Sequence, residues 1–484
     1  MSYSEIDYLQ SDATALAAAI RGGQLSPSDA VAHAFAAIDR VNPQLNAVIL
    51  TMREAADEQL RQLPADAPLR GVPVLLKDDC PTYAGVPMSF GCRAARGYVP
   101  AQDHEIVRRY KAAGMVIVGK TNLPEFSGNI ATSPTLHGAT LNPWDAGRNI
   151  GGSSGGAAAA VAARMVPLAY GNDGAGSIRI PASCGGLFGL RASRGRTPCG
   201  PVSSENWGGL VSHHALTRSV RDSALLLDLT DAPEAGALYA APAKSGSYAQ
   251  AASRDPRPLR IGVISQPGMG LRLDDDIAAA LEDASALCRQ LGHRVEAAAF
   301  NFDESALADA YLRIIAAYTA LEVDAIAADT GRPADADGFE PVNLDLAEFG
   351  RRLSAPALLA ARNTANSVAR SLGRLFAEVD ILLTPVMPTL PAPMTALDVR
   401  GPDWRAFADE FMQGTVFTRP ANAAGIPAMS VPLFQTAAGL PVGIQFMAPY
   451  GDETTLFELA GQLERARPWA HRLPPVHALS LIHI

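Results

Sequence analysis

Residues 259–264 form a short apolar run, 274–291 carry the apolar period of a helix, and 293–298 form a second short run. Two strands joined through a single helix run parallel, because an antiparallel pair closes with a tight turn while a parallel pair needs a crossover of a dozen residues or more. No other stretch narrows the fold class so far. It requires a sheet that is at least partly parallel, hence an α/β architecture. Further short apolar runs read as strands at 71–76 (GVPVLL), 115–118, 381–385, 428–432 and 443–447, with a helix at 105–113. Residues 12–63 read as helices, one of them opened by Ser26-Pro27-Ser28-Asp29, a capping serine followed by proline at the first helical position. Residues 303–378 read as mostly helical around an acidic loop.

A chain of 484 residues has a prior of about three domains. Helices and strands mix throughout this one, which favours a large α/β domain instead. The expected layout is an N-terminal helical region over 1–70 and a glycine-rich core over 71–240. The rest of the same domain would occupy 241–478, with a helical substrate-pocket region near 303–378. Residues 479–484 look like a surplus tail. Hydrophobic residues at 48% and charged residues at 18% suit a large buried core. The net charge of −9 argues against a broad nucleic-acid footprint. Five cysteines, an odd number without a CxxC pair, fit reduced thiols in a cytoplasmic protein. No secretory signal is visible, and the apolar stretch 155–171 is too short and too interrupted for a membrane span.

Two motifs mislead. Gly114 to Thr121 fits the phosphate-loop pattern GxxxxGK[ST], but the residues between its glycines are themselves a strand where a loop is required. Gly151-Gly152-Ser153-Ser154-Gly155 fits the GxSxG elbow, yet 142–149 hold Pro, Asp, Gly and Arg where a strand is needed. His213 and His214 are adjacent, so their side chains diverge, and there is no HExxH or cysteine cluster. No metal and no cofactor are expected.

The 40 basic residues include only four lysines: Lys77, Lys111, Lys120 and Lys244. Lysine can lose its proton where arginine cannot. Lys77 closes an apolar run, where desolvation lowers an ammonium's pKa and yields a usable base. A structural pairing with Asp78 or Asp79 is the plainer reading. Two serines, Ser153 and Ser177, sit in glycine-rich loops whose bare backbone can approach a ligand and point N–H groups at a developing oxyanion.

GVPVLLKD at 71–78, GGSSGG at 151–156 and GNDGAGSIRIPAS at 171–183, in that order and spacing, resemble the amidase signature hydrolases. GKTNLPEF at 119–126, NAAGIPAMSVP at 422–432 and GLPVGIQ at 439–445 fit as well, and the resemblance runs from about residue 10 to 470. It implies a large mixed twisted β-sheet covered by helices on both faces and a Ser–cisSer–Lys triad. Ser177 would be the nucleophile, Ser153 (after a cis peptide) the bridge and Lys77 the base. The backbone N–H groups of Gly174, Ala175, Gly176 and Ser177 would form the oxyanion hole, with Ser154, Asp173 and Arg179 bracing the loop. The commoner family spelling is Thr-Asp-Thr-Gly-Gly-Ser. Asn-Asp-Gly-Ala-Gly-Ser at 172–177 resembles the branch containing nylon-oligomer cyclic dimer hydrolases, aryl acylamidases and urethanases.

The implied substrate is a small-molecule amide or carbamate, in a pocket drawing on Phe126, Ile130, Tyr311, Tyr318, Phe411 and Phe417. Neither a nucleic acid nor a membrane is implied, and the protein would be a monomer or homodimer. Two other readings stay open: an amidotransferase subunit acting on tRNA, against which stands IRIP where that group usually reads IRQP, and a non-catalytic binding homologue.

Overall fold

The strand–helix–strand unit forms as its spacing requires. Arg260–Val263 and Arg294–Ala297 pair in parallel, Arg260 opposite Arg294, across the helix Asp275–Gln290. The computed structural model describes residues 4–394 and 404–480. Its strands are β1 Val48–Thr51, β2 Pro73–Lys77, β3 Val116–Thr121, β4 Leu141–Asn142, β5 Asp145–Asn149, β6 Leu168–Asp173, β7 Phe188–Arg191, β8 Ser212–Thr217, β9 Arg260–Val263, β10 Arg294–Ala297, β11 Ile381–Pro385, β12 Ala428–Gln435 and β13 Pro441–Met447. Eleven of them form one mixed sheet in the order β1-β3-β2-β6-β8-β7-β12-β13-β11-β9-β10, and β4 pairs with β5 in a separate ribbon.

Helices cover both faces, and the strands show why. In β11, Ile381 and Leu383 pack against the helices Asp275–Gln290 and Glu453–Ala466, while Leu382 between them packs on the opposite side with the helices Glu304–Thr330 and Ala355–Glu378. Alternate side chains of one strand therefore meet different helical layers, and the strand reads as a continuous apolar run. β2 is buried at every position for the same reason.

Three expectations need correction. Residues 12–63 are not wholly helical, since β1 lies among them and pairs antiparallel with β3 at the sheet's edge. GGSSGG is preceded by strand β5, in a ribbon whose Asp145 and Gly147 turn with their own local hydrogen bond. β6, β7 and β8 sit inside the segment that looked only glycine-rich. Ala478, just before the expected surplus tail, is buried and its N–H donates to Ala163 O at 2.9 Å, and Leu479 packs against the same core. Residues 481–484 lie outside the described residues. No helix among the described residues is long and apolar enough to cross a membrane.

The fold places the site through β2 and β6. They are parallel neighbours, Val74 opposite Leu168, so Lys77 and the pair Asn172–Asp173 emerge at the same edge of the sheet. The carboxyl ends of parallel strands are where such sheets bind ligands.

Candidate active site

Lys77 is fully buried at the end of β2. Its Nζ donates to Ser153 Oγ at 2.7 Å and to Asn172 Oδ1 at 2.6 Å, and lies 3.2 Å from Asp79 Oδ2. Asn172 donates back to Asp79 Oδ2 at 2.8 Å, and Ser127 Oγ donates to the same oxygen at 2.6 Å. Asp78 is engaged elsewhere, with Lys120 Nζ at 3.1 Å. Lys120 itself lies within β3, so the phosphate-loop reading fails as the sequence indicated. Burial pushes the Lys77 ammonium below its ordinary range, against the pull of the Asp79 carboxylate. Burial opposes the charge on Asp79 in turn, but Lys77, Ser127 and Asn172 hold its carboxyl below the usual value.

The Gly152–Ser153 peptide is cis. Ser154 N donates to Ser177 O at 3.2 Å and its Oγ to Asn172 O at 3.3 Å, which ties the two serine loops together. Ser153 and Ser177 line the same cavity. No hydrogen bond joins their hydroxyls among the described residues. Such catalytic contacts commonly close only around bound substrate.

The loop 174–177 leaves four backbone N–H groups, those of Gly174, Ala175, Gly176 and Ser177, without a hydrogen-bond partner among the described residues. Its carbonyls are pinned instead. Gly174 O accepts from Tyr311 OH at 3.1 Å, Ala175 O from Thr418 Oγ1 and Gly176 O from Ile180 N. Below the loop, Arg179 grips Asp173 through two bonds of 2.9 and 2.8 Å and reaches Gln445 Oε1 and Asn422 Oδ1, both at 2.6 Å. Burial alone would raise the Asp173 carboxyl; the Arg179 guanidinium reverses this and holds it far below the usual range. Gly176 has φ +136°, and a Cβ there would lie 2.6 Å from Thr418 Oγ1. Gly176→Ala is expected to lower kcat about 10²- to 10³-fold by turning the N–H groups away, checked by kinetics alongside a melting curve.

The cavity measures about 270 Å³. Phe126 lines it, together with Phe90, Trp207 and the end of the helix Glu304–Thr330. The other five expected pocket residues lie elsewhere. Ile130 faces a separate cavity beside Gly414, and Tyr318 rests against Gly208. Phe411 and Phe417 are core, and Tyr311 is buried behind the loop. Phe411 and Tyr311 fill the helical layer first, as the apolar stripe of a helix normally does, and Phe417 is buried in the turn after the helix Trp404–Gly414. The wall from 199 to 211 and the Asp79–Asn172 bridge escaped the sequence reading. Only the run Lys77-Asp78-Asp79 hinted at the latter.

Cys80, His104 and His213 present atoms within 4.8 Å of one another on this wall. A metal-bound histidine donates its second ring N–H. His104 Nδ1 instead accepts from Ile106 N at 3.1 Å, so Nε2 carries the proton and faces Cys80 Sγ at 3.7 Å. Burial lowers His104 to about 3 and His213 to about 4, and raises the Cys80 thiol. The group is a neutral hydrogen-bonded wall.

A family model described as amidase matches residues 29–457. The chain belongs to the amidase signature family. This amidase is 37% identical to the 6-aminohexanoate-cyclic-dimer hydrolase of Paenarthrobacter ureafaciens, over 97% of each chain, and equally to that of Pseudomonas sp. strain NK87. Among solved structures, a 6-aminohexanoate cyclic dimer hydrolase matches at 36% identity with a TM-score of 0.92, covering 97% of this chain and 99% of the other. A bacterial aryl acylamidase matches at 25% identity and TM-score 0.88, covering 96% and 98%. The amidase is therefore a hydrolase of C–N bonds.

Proposed function

We propose that the amidase cleaves small, apolar or aryl amides, and carbamates as a further class, through Ser177, Ser153 and Lys77. The observation that carries this reading is the 2.7 Å bond from Lys77 Nζ to Ser153 Oγ, beside a cavity that also holds Ser177. Neutral Lys77 takes a proton from Ser153 as Ser153 takes one from Ser177. The Ser177 oxygen attacks the carbonyl carbon. The four unpaired N–H groups surround the developing oxyanion, and losing one donor from such a hole typically costs about 3–4 kcal/mol of barrier. The proton returns through Ser153 to the leaving nitrogen and the C–N bond breaks. Water then attacks the acyl-enzyme by the same relay and releases the acid. A carbamate substrate follows the same path: the amine leaves, water releases a carbonic acid half-ester from Ser177, and this splits into the alcohol and carbon dioxide.

The names of the relatives bring lactam oligomers and aryl amides into the substrate range to be tested. Anilides, lactam oligomers and aryl carbamates, assayed side by side with Ser177→Ala as control, test the reading. Turnover in at least one class that disappears in the variant supports it; turnover that survives in Ser177→Ala defeats it.

The Asp79 carboxylate holds the Lys77 pKa up against burial. Removing that negative charge lowers the lysine's pKa, so the neutral form persists to lower pH. Asp79→Asn is expected to move the acid limb of the kcat/KM profile to lower pH. An unmoved limb would separate Asp79 from the base.

A further inference from the structure

The cavity that holds Ser177 has a polarity its apolar walls do not announce. Among the described residues neither lysine nor arginine lines it, whereas Asp79, Glu322 and Asp329 do. Asp79 is answered by Lys77 at 3.2 Å. Glu322 is half-buried, and its Oε2, shielded from solvent, has no hydrogen-bond partner among the described residues. Buried acceptors left without a donor are uncommon, and leaving one costs about 1–3 kcal/mol. A ligand that brings the donor recovers that cost.

Glu322 lies on the helix Glu304–Thr330, where 322, 326 and 329 fall at i, i+4 and i+7 and so share one face. Ala325 and Ile326 supply an apolar wall beside the carboxyl, and Asp329 is exposed at the solvent end of the same face. An alkyl chain can lie along this wall with its polar end at Glu322. We infer that Glu322 is a specificity-determining residue that receives a protonated amine carried by the substrate at the end remote from the scissile amide, and that the cavity discriminates against a carboxylate in that place. The inference rests on the reading of Ser177 as the reacting group in this cavity. Burial and the nearby Asp79 charge raise the Glu322 carboxyl to about 8. An ammonium within hydrogen-bond reach favours its ionised form, which binds the cation more strongly than a neutral acid does. Asp329 adds negative potential at the entrance.

Two measurements on the full-length chain test this. In the first, n-hexylammonium, 1-hexanol and hexanoate are titrated by calorimetry into Ser177→Ala protein, with or without Glu322→Gln. Hexylammonium is expected to bind about tenfold or more tightly than hexanol, with hexanoate weakest, and the preference to vanish with Gln at 322. In the second, 4-nitroanilides whose acyl chains end in ammonium, methyl or carboxylate are compared. The ammonium-to-methyl ratio of kcat/KM is expected to be about ten or more in the parent and near one in Glu322→Gln. Glu322→Asp, which keeps the charge, should retain part of it. Equal binding of the three probes, or a preference unchanged by Glu322→Gln, overturns the assignment. Absence of hydrolysis of every anilide would count against the Ser177 relay, and the calorimetry would still decide Glu322.

Discussion

Ser177→Ala is expected to lower kcat by about 10⁴- to 10⁶-fold on any amide the protein turns over, the loss seen when a serine nucleophile is removed from a working relay. The side chain is buried at the cavity floor and differs from alanine by one oxygen, so the melting temperature should move by only a few degrees. Ser153→Ala should lose nearly as much, and the double variant little more than either single one, because members of one relay act as a unit. If the two losses instead multiplied, the serines would be working separately. Steady-state kinetics over a range of protein concentrations that reaches single turnover will read losses of this size.

Lys77→Arg is expected to cost at least about 10³-fold in kcat. A guanidinium keeps its positive charge across the accessible pH range, so it cannot accept a proton from Ser153. The parent's rate should climb toward alkaline pH as Lys77 loses its proton, from a starting point that burial has already lowered. Lys77→Met removes the base and also strands the Asp79 carboxylate in a buried site, at about 3–5 kcal/mol of stability. Lys77→Met with Asp79→Asn removes both charges and should recover much of that stability while remaining inactive. A stable double variant with parental activity would exclude Lys77 as the base, and so would a flat rate profile from acid to alkaline pH in the parent.

Legibility in the sequence followed physical cause. The parallel unit at 259–298 could be read because strand and helix periods differ and their order fixes direction. Lys77 could be read because lysine is rare here and this one ends an apolar run. β6 and β8 were hidden: LAYGND and SHHALT carry few β-branched residues, and they are strands because their neighbours pair with them. The pocket was hidden for a related reason. Phe411, Phe417 and Tyr311 are large and apolar in the right region, yet burial claims them first, Phe411 and Tyr311 in the helical layer and Phe417 in a turn. The cavity wall is built instead from residues as far apart as Phe90, Trp207 and Ile326, which only tertiary packing brings together. The Asn172 bridge between Lys77 and Asp79 had a trace only in the run Lys77-Asp78-Asp79 and no periodic signal.

Hydrolysis by this relay requires that the Ser177 oxygen be the atom that attacks. Peptide mapping by mass spectrometry after reaction with a fluorophosphonate tests it most directly. One covalent adduct on the peptide holding Ser177, absent from Ser177→Ala and greatly slowed in Lys77→Arg, is the predicted result. An adduct on Ser153 or on another residue that persists in Ser177→Ala would contradict it.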